Sequence, residues 1–110
     1  MKNTKVIYVT MFILLSLIIL VLIAIKYSNI QEAKCIGKNS KLYIQTGSKL
    51  GEEQIKIIGE NIRYYEIINC FSERDKCENI NLSKTPAWII KNEKSYKVYN
   101  LNKLKELTNC

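Results

Sequence analysis

The chain has 110 residues, a formal net charge of +7, four cysteines and no histidine. That length holds at most one membrane segment and one small domain. The positive balance does not point to nucleic acid: Lys2, Lys5 and Lys26 flank an apolar run. The remaining basic residues are lysines interleaved with glutamates, with Arg63 and Arg74 as the only arginines, a solvated surface rather than a phosphate-binding stripe.

Residues 6–25 carry no charge. Twenty helical residues reach roughly 30 Å, the hydrocarbon thickness of a bilayer. A cleaved signal peptide has an apolar region of about 7–15 residues and a small-residue cleavage site. This run is longer, and Ala24-Ile25-Lys26 is no such site. Residues 1–26 are therefore predicted to be an uncleaved single-pass anchor in contact with lipid, residues 27–40 a linker, and residues 41–110 a small domain. Lys2, Lys5 and the free amine favour a cytoplasmic N-terminus. Cys35, Cys70, Cys77 and Cys110 all follow the span, and an even set in a small domain suits an oxidising compartment. Together they predict a domain on the extracytoplasmic side.

Tyr27 to Lys34 extends the helical pattern, and Gly37-Lys38-Asn39-Ser40 breaks it. Lys41 to Gln45 reads as a strand buried on both faces, because Leu42, Tyr43 and Ile44 are apolar in succession. Ser48 is placed to cap the next helix, Glu52 and Glu53 suit its first turn, and Ile55, Ile58 and Ile62 recur at helical spacing. Tyr64 to Cys70 is rich in aromatic and β-branched residues and reads as a second strand. A helix between two strands predicts a right-handed βαβ unit with a parallel pair. Residues 72–79 form a polar connector with room for one helical turn. Ala87 to Ile90 is a third strand led by Pro86, with Trp88 and Ile90 on one face and Ile89 on the other. Asn92-Glu93-Lys94 predicts a turn and Ser95 to Tyr99 a fourth strand. Leu101, Leu104 and Leu107 mark a terminal amphipathic helix.

From Ala33 to Cys110 the chain resembles membrane-anchored thioredoxin-like domains of bacteria and archaea, including those fused to, or partnering, vitamin K epoxide reductase homologues. The resemblance rests on Ala33-Lys34-Cys35, Leu42-Tyr43, Gly47, Gln54, Gly59, Tyr64, Cys70, Cys77, Thr85-Pro86-Ala87-Trp88 and the ending Leu101-x-x-Leu104-x-x-Leu107-Thr108-Asn109-Cys110. It implies an α/β, minimal thioredoxin-like fold for residues 41–110, in the order β-α-β, short connector, β-β-α. It also implies a substrate groove beside a proline, usually cis, at Pro86. Family members place Cys-x-x-Cys at the helix N-terminus, where the thiolate is stabilised. This sequence has Ser48 and Gly51 at those positions. An unactivated hydroxyl does not exchange disulfides, and Gly51 has no side chain to resolve a mixed disulfide.

Ser48 as a hydrolytic nucleophile needs a base, and the chain has no histidine. With no Cys-x-x-Cys either, no zinc site and no cofactor are expected. Four cysteines allow three connectivities, and the resemblance implies Cys35 with Cys110 and Cys70 with Cys77. The second pair reads either as a structural bridge or as an exchangeable one. The leading expectation is a binding module that holds an extended polypeptide or membrane partner with Ser48, Lys49, Leu50, Thr85 and Pro86. The alternative is an accessory thiol-disulfide oxidoreductase working through Cys70 and Cys77 with a membrane redox partner.

Overall fold

The computed structural model describes residues 2–110. Its element order is α1 (Lys2–Lys38), β1 (Ser40–Ile44), α2 (Lys49–Ile58), a 3-10 segment (Gly59–Tyr64), β2 (Ile67–Asn69), α3 (Arg74–Glu78), β3 (Ala87–Ile90), β4 (Glu93–Ser95) and α4 (Leu101–Thr108). The chain divides into two compact units, residues 1–30 and residues 31–110.

The first unit is helical and fully exposed over residues 6–15, and it is long and apolar enough to cross a membrane, with mean hydropathy 3.1 over its most apolar window. Thr10 and Ser16 donate their hydroxyl protons to the carbonyls of Ile7 and Phe12, so neither polar side chain is left unpaired along the apolar helix.

The second unit is a mixed sheet in the order β2-β1-β3-β4 with helices against it, an α/β layout. β1 and β2 are parallel, with Tyr43 opposite Ile68; β1 and β3 are antiparallel, with Leu42 opposite Trp88. The parallel pair brackets α2, as the βαβ pattern predicts. Because strand side chains alternate, the sheet feeds two cores. Leu42, Trp88 and Ile90 lie on one face with Ala33, Ile36, Ile58, Tyr65 and Leu104. Tyr43, Ile68 and Ala87 lie on the other with Cys77, and Ile89 packs there, opposite Trp88 and Ile90 as alternation requires.

Several boundaries differ from the sequence reading. Residues 31–38, expected within a linker, are the last turns of α1 and belong to the second unit. Ala33 and Ile36, three residues apart, bury themselves in its core. Gly37 does not break the helix. It lets the backbone of Tyr64 approach so closely that a Cβ there would stand 1.9 Å from the Tyr64 carbonyl oxygen. The second strand is shorter than predicted because Gly59, at φ 73°, ends α2 and starts the 3-10 segment. Tyr65 then packs edge-on against Trp88, with ring centroids 6.4 Å apart. The hairpin turn falls at Lys91-Asn92, both at positive φ, so β4 begins at Glu93 rather than Ser95.

One buried polar residue joins three elements. Gln54 in α2 has no exposed surface. Its Oε1 accepts from Trp88 Nε1 at 2.9 Å and from the Tyr99 backbone N–H at 2.8 Å, while its Nε2 donates to the Tyr99 carbonyl at 2.9 Å. The amide orientation is fixed by these partners, because only this way round does each donor meet an acceptor.

Two predictions follow from close packing. Gly37→Ala and Gly51→Ala are the same change inside helices, yet they act in opposite directions. A Cβ at Gly37 collides with backbone, so that variant loses about 2 kcal/mol or more despite its better helix propensity. At Gly51 the nearest atoms are Ser48 Cβ at 3.6 Å and Ile44 Cβ at 3.7 Å, ordinary contacts, so Gly51→Ala gains about 0.5–1 kcal/mol. Denaturation in micelles measures both, and equal signs would refute the packing argument. Gln54→Leu strands the Trp88 and Tyr99 donors and costs about 3 kcal/mol or more. Loss of less than about 1 kcal/mol would mean those donors find other partners.

Candidate functional site

The carboxyl ends of β1 and β2 lie together because the strands are parallel, and the amino end of β3 joins them because β3 runs the other way. Three loops therefore share one sheet edge: residues 45–48, residues 70–73, and Thr85-Pro86. Open α/β sheets bind ligands at such strand ends. Asn69, the last residue of β2, ties the first two loops. Its Nδ2 donates to Thr46 Oγ1 at 2.7 Å, and its Oδ1 accepts from the backbone N–H groups of Thr46 at 3.3 Å and Phe71 at 3.0 Å.

Ser48 is the N-cap of α2, its Oγ accepting from the Gly51 N–H at 3.3 Å. The hydroxyl is thus used as a cap. Ser48 is half-buried, Lys49 and Leu50 are exposed, and Gly51 is buried. Thr85 is half-buried and forms a cis peptide bond with Pro86. The Pro86 side chain is fully buried, so it supports the edge from within and does not face a partner. Of the residues expected to line a groove, Thr85 alone lines a cavity shared with the second disulfide.

That cavity has a volume of about 530 Å³ and is lined by Gln45, Cys70, Phe71, Arg74, Cys77 and Thr85, among others. A second cleft of about 350 Å³ opens beside α2, between Ile44, Thr46, Gly47, Gly51 and Ile55, and Gln45 lines both. Beyond α1, Leu50 and Phe71 are the large apolar side chains left exposed, at 53% and 68%. The sequence reading named Leu50 but not Phe71 or Gln45. An aromatic residue directly after the cysteine that ends a strand was the available signal.

All four cysteines are paired, Cys35 with Cys110 and Cys70 with Cys77, at Cα separations of 5.9 and 5.7 Å. The first bridge joins the last turns of α1 to the end of α4, beside an ion pair of Lys105 with Glu32 at 3.3 Å. The second joins the end of β2 to α3. Near the cavity, Tyr96 titrates below its ordinary value because the side chain and backbone of Ser83 hydrogen-bond to it, with Lys94 and Lys84 adding to the effect. On α3 the Lys76 ammonium titrates higher than usual, held by a hydrogen bond to Glu73. Among the described residues, no three Cys, Asp or Glu side chains gather as a metal centre would require.

No protein-family model and no curated protein matches the chain.

The capping turn has the geometry of a closed two-residue loop. A Cβ built on Gly51 stands 3.6 Å from Ser48 Cβ, inside the range of about 3.5–4.5 Å that a disulfide spans. Ser48→Cys combined with Gly51→Cys therefore forms a bridge under mild oxidant without unfolding the domain. Peptide mapping after alkylation reads it, and a folded double variant whose two new thiols stay free would contradict the geometry.

Proposed function

We propose that the chain is a membrane-tethered, thioredoxin-like binding module that docks an extended polypeptide at the edge formed by the three loops, without dithiol chemistry at the α2 N-terminus. Residues 6–25 anchor it, the N-terminus faces the cytoplasm, and the disulfide-bonded domain stands on the oxidising side. Thioredoxin-like build is supported by the strand order, the parallel β1–β2 pair around α2, and the Ser48–Gly51 spacing that suits a dithiol.

The observation that carries the docking reading is the pair of exposed apolar residues, Leu50 in the first turn of α2 and Phe71 in the loop after β2, where Asn69 links that loop to the one leading into α2. Both side chains stand in water at that end of the sheet, where the apolar side chains of a partner would cover them. The two clefts meet at Gln45 and form a strip across adjacent loops. An extended segment fills such a strip, its apolar side chains meeting Leu50 and Phe71. The resemblance to domains that accompany vitamin K epoxide reductase homologues makes a loop of a membrane redox protein one natural source of that segment.

Leu50→Asp and Phe71→Asp test the reading, because both side chains are exposed and neither change disturbs the core. Each variant keeps its fold and binds an extended apolar peptide about tenfold or more weaker, a difference of about 1.4 kcal/mol. Unchanged affinity in both variants would refute this surface.

A further inference from the structure

We infer that the Cys70–Cys77 bridge is a thiol–disulfide exchange site for protein dithiols, reached through the cavity that it lines. This goes beyond docking at Leu50 and Phe71 and does not rest on it.

Both sulfur-bearing residues line the open cavity, Cys70 half-buried and Cys77 8% exposed. Two cations share that lining, Arg74 and Lys84. Among the described residues the Arg74 guanidinium has no ion pair, and the Lys84 ammonium lies over the Tyr96 ring at 5.7 Å without a carboxylate partner. Glu78 is the one opposing charge on the lining; Glu73 is engaged by Lys76 at 2.8 Å. The balance favours an anionic sulfur, whether it arrives as an attacking thiolate or departs as a leaving group. Arg74 sits one helical turn before Cys77 on α3, so the two share a face of that helix.

Exchange also requires that the domain survive an open bridge. The bridge closes a short loop, with a sequence separation of 7 against 75 for Cys35–Cys110. Opening the short loop gives the unfolded chain less new freedom than opening the long one would, so its reduction costs the fold less. α3 is held by the buried Cys77 side chain among Tyr43, Ile68 and Ala87, contacts that do not need the S–S bond.

A substrate thiolate attacks Cys70 Sγ, the S–S bond breaks, and its electron pair leaves on Cys77 Sγ. A mixed disulfide now joins the substrate to Cys70. The second substrate thiol loses its proton to water and attacks its partner sulfur, closing the substrate disulfide and freeing Cys70 as thiolate. The substrate is oxidised by two electrons, and the Cys70/Cys77 pair is reduced and takes up two protons. A disulfide on a second protein returns the pair to its oxidised form by the same exchange in reverse.

The full chain in micelles is incubated with millimolar glutathione, quenched with alkylating agent and mapped by mass spectrometry, while far-UV circular dichroism follows the fold. Glutathione is a free anionic thiol and needs no docking surface, so this result stands apart from the peptide-binding test. The expected result is reversible opening of Cys70–Cys77 with unchanged dichroism. Arg74→Ala combined with Lys84→Ala slows opening about threefold or more at low salt, and added salt removes the difference. Both residues are exposed, so that variant keeps its fold. A bridge that stays closed until the domain unfolds would overturn the inference. So would opening at a rate indifferent to both Arg74 and Lys84.

Discussion

The buried amide of Gln54 is the constraint on which the domain's arrangement depends. Its carbonyl oxygen faces two N–H donors from separate elements, and its nitrogen faces one carbonyl. A fully enclosed polar group is costly unless it is hydrogen-bonded, and here both the oxygen and the nitrogen of the amide meet partners fixed in position. α2 is thereby locked against Trp88 of β3 and against the Tyr99 segment that leads into α4. Trp88, itself without exposed surface, fills the space between Tyr65 and the amide. The start of α2, and so the turn at the sheet edge, inherits its position from this lock.

The helix that carries the apolar run is also part of the domain at its far end. Ala33 and Ile36 enter the core, Gly37 admits the backbone of Tyr64, and Cys35 is bridged to Cys110. These features occupy two helical turns. A domain of about 80 residues gains only a marginal core from its own sheet and helices. Borrowing helical residues and closing a long loop with a disulfide both offset that shortage.

At the end of the sheet where the three loops meet, side-chain hydrogen bonds set the local shape. Ser48 performs the capping that a helix start requires, so the turn holds its shape without a thiol. Asn69 links neighbouring loops by side-chain hydrogen bonds to Thr46 and the Phe71 backbone. The Cys70–Cys77 bridge lines the cavity that Thr85 also lines.

Patterns governed by neighbours in sequence were legible from the residues alone. The apolar run, the Ser48 cap, the βαβ order, the split of Trp88 and Ile90 from Ile89, and the terminal leucine helix follow from local periodicity and capping, which act over a few residues. What depended on contacts distant in sequence was not legible. Gln54 reads as an ordinary polar helix residue until Trp88 and Tyr99 close around it, and Gly37 reads as a breaker until Tyr64 arrives. Pro86 and Phe71 exchanged the parts their types suggested: the proline is enclosed and the phenylalanine stands in water. Four cysteines permit three pairings on paper, and only the approach of α4 to α1, and of α3 to β2, selects one. Sequence sets each segment's own preference, while burial and pairing belong to whichever surfaces the folded chain brings together.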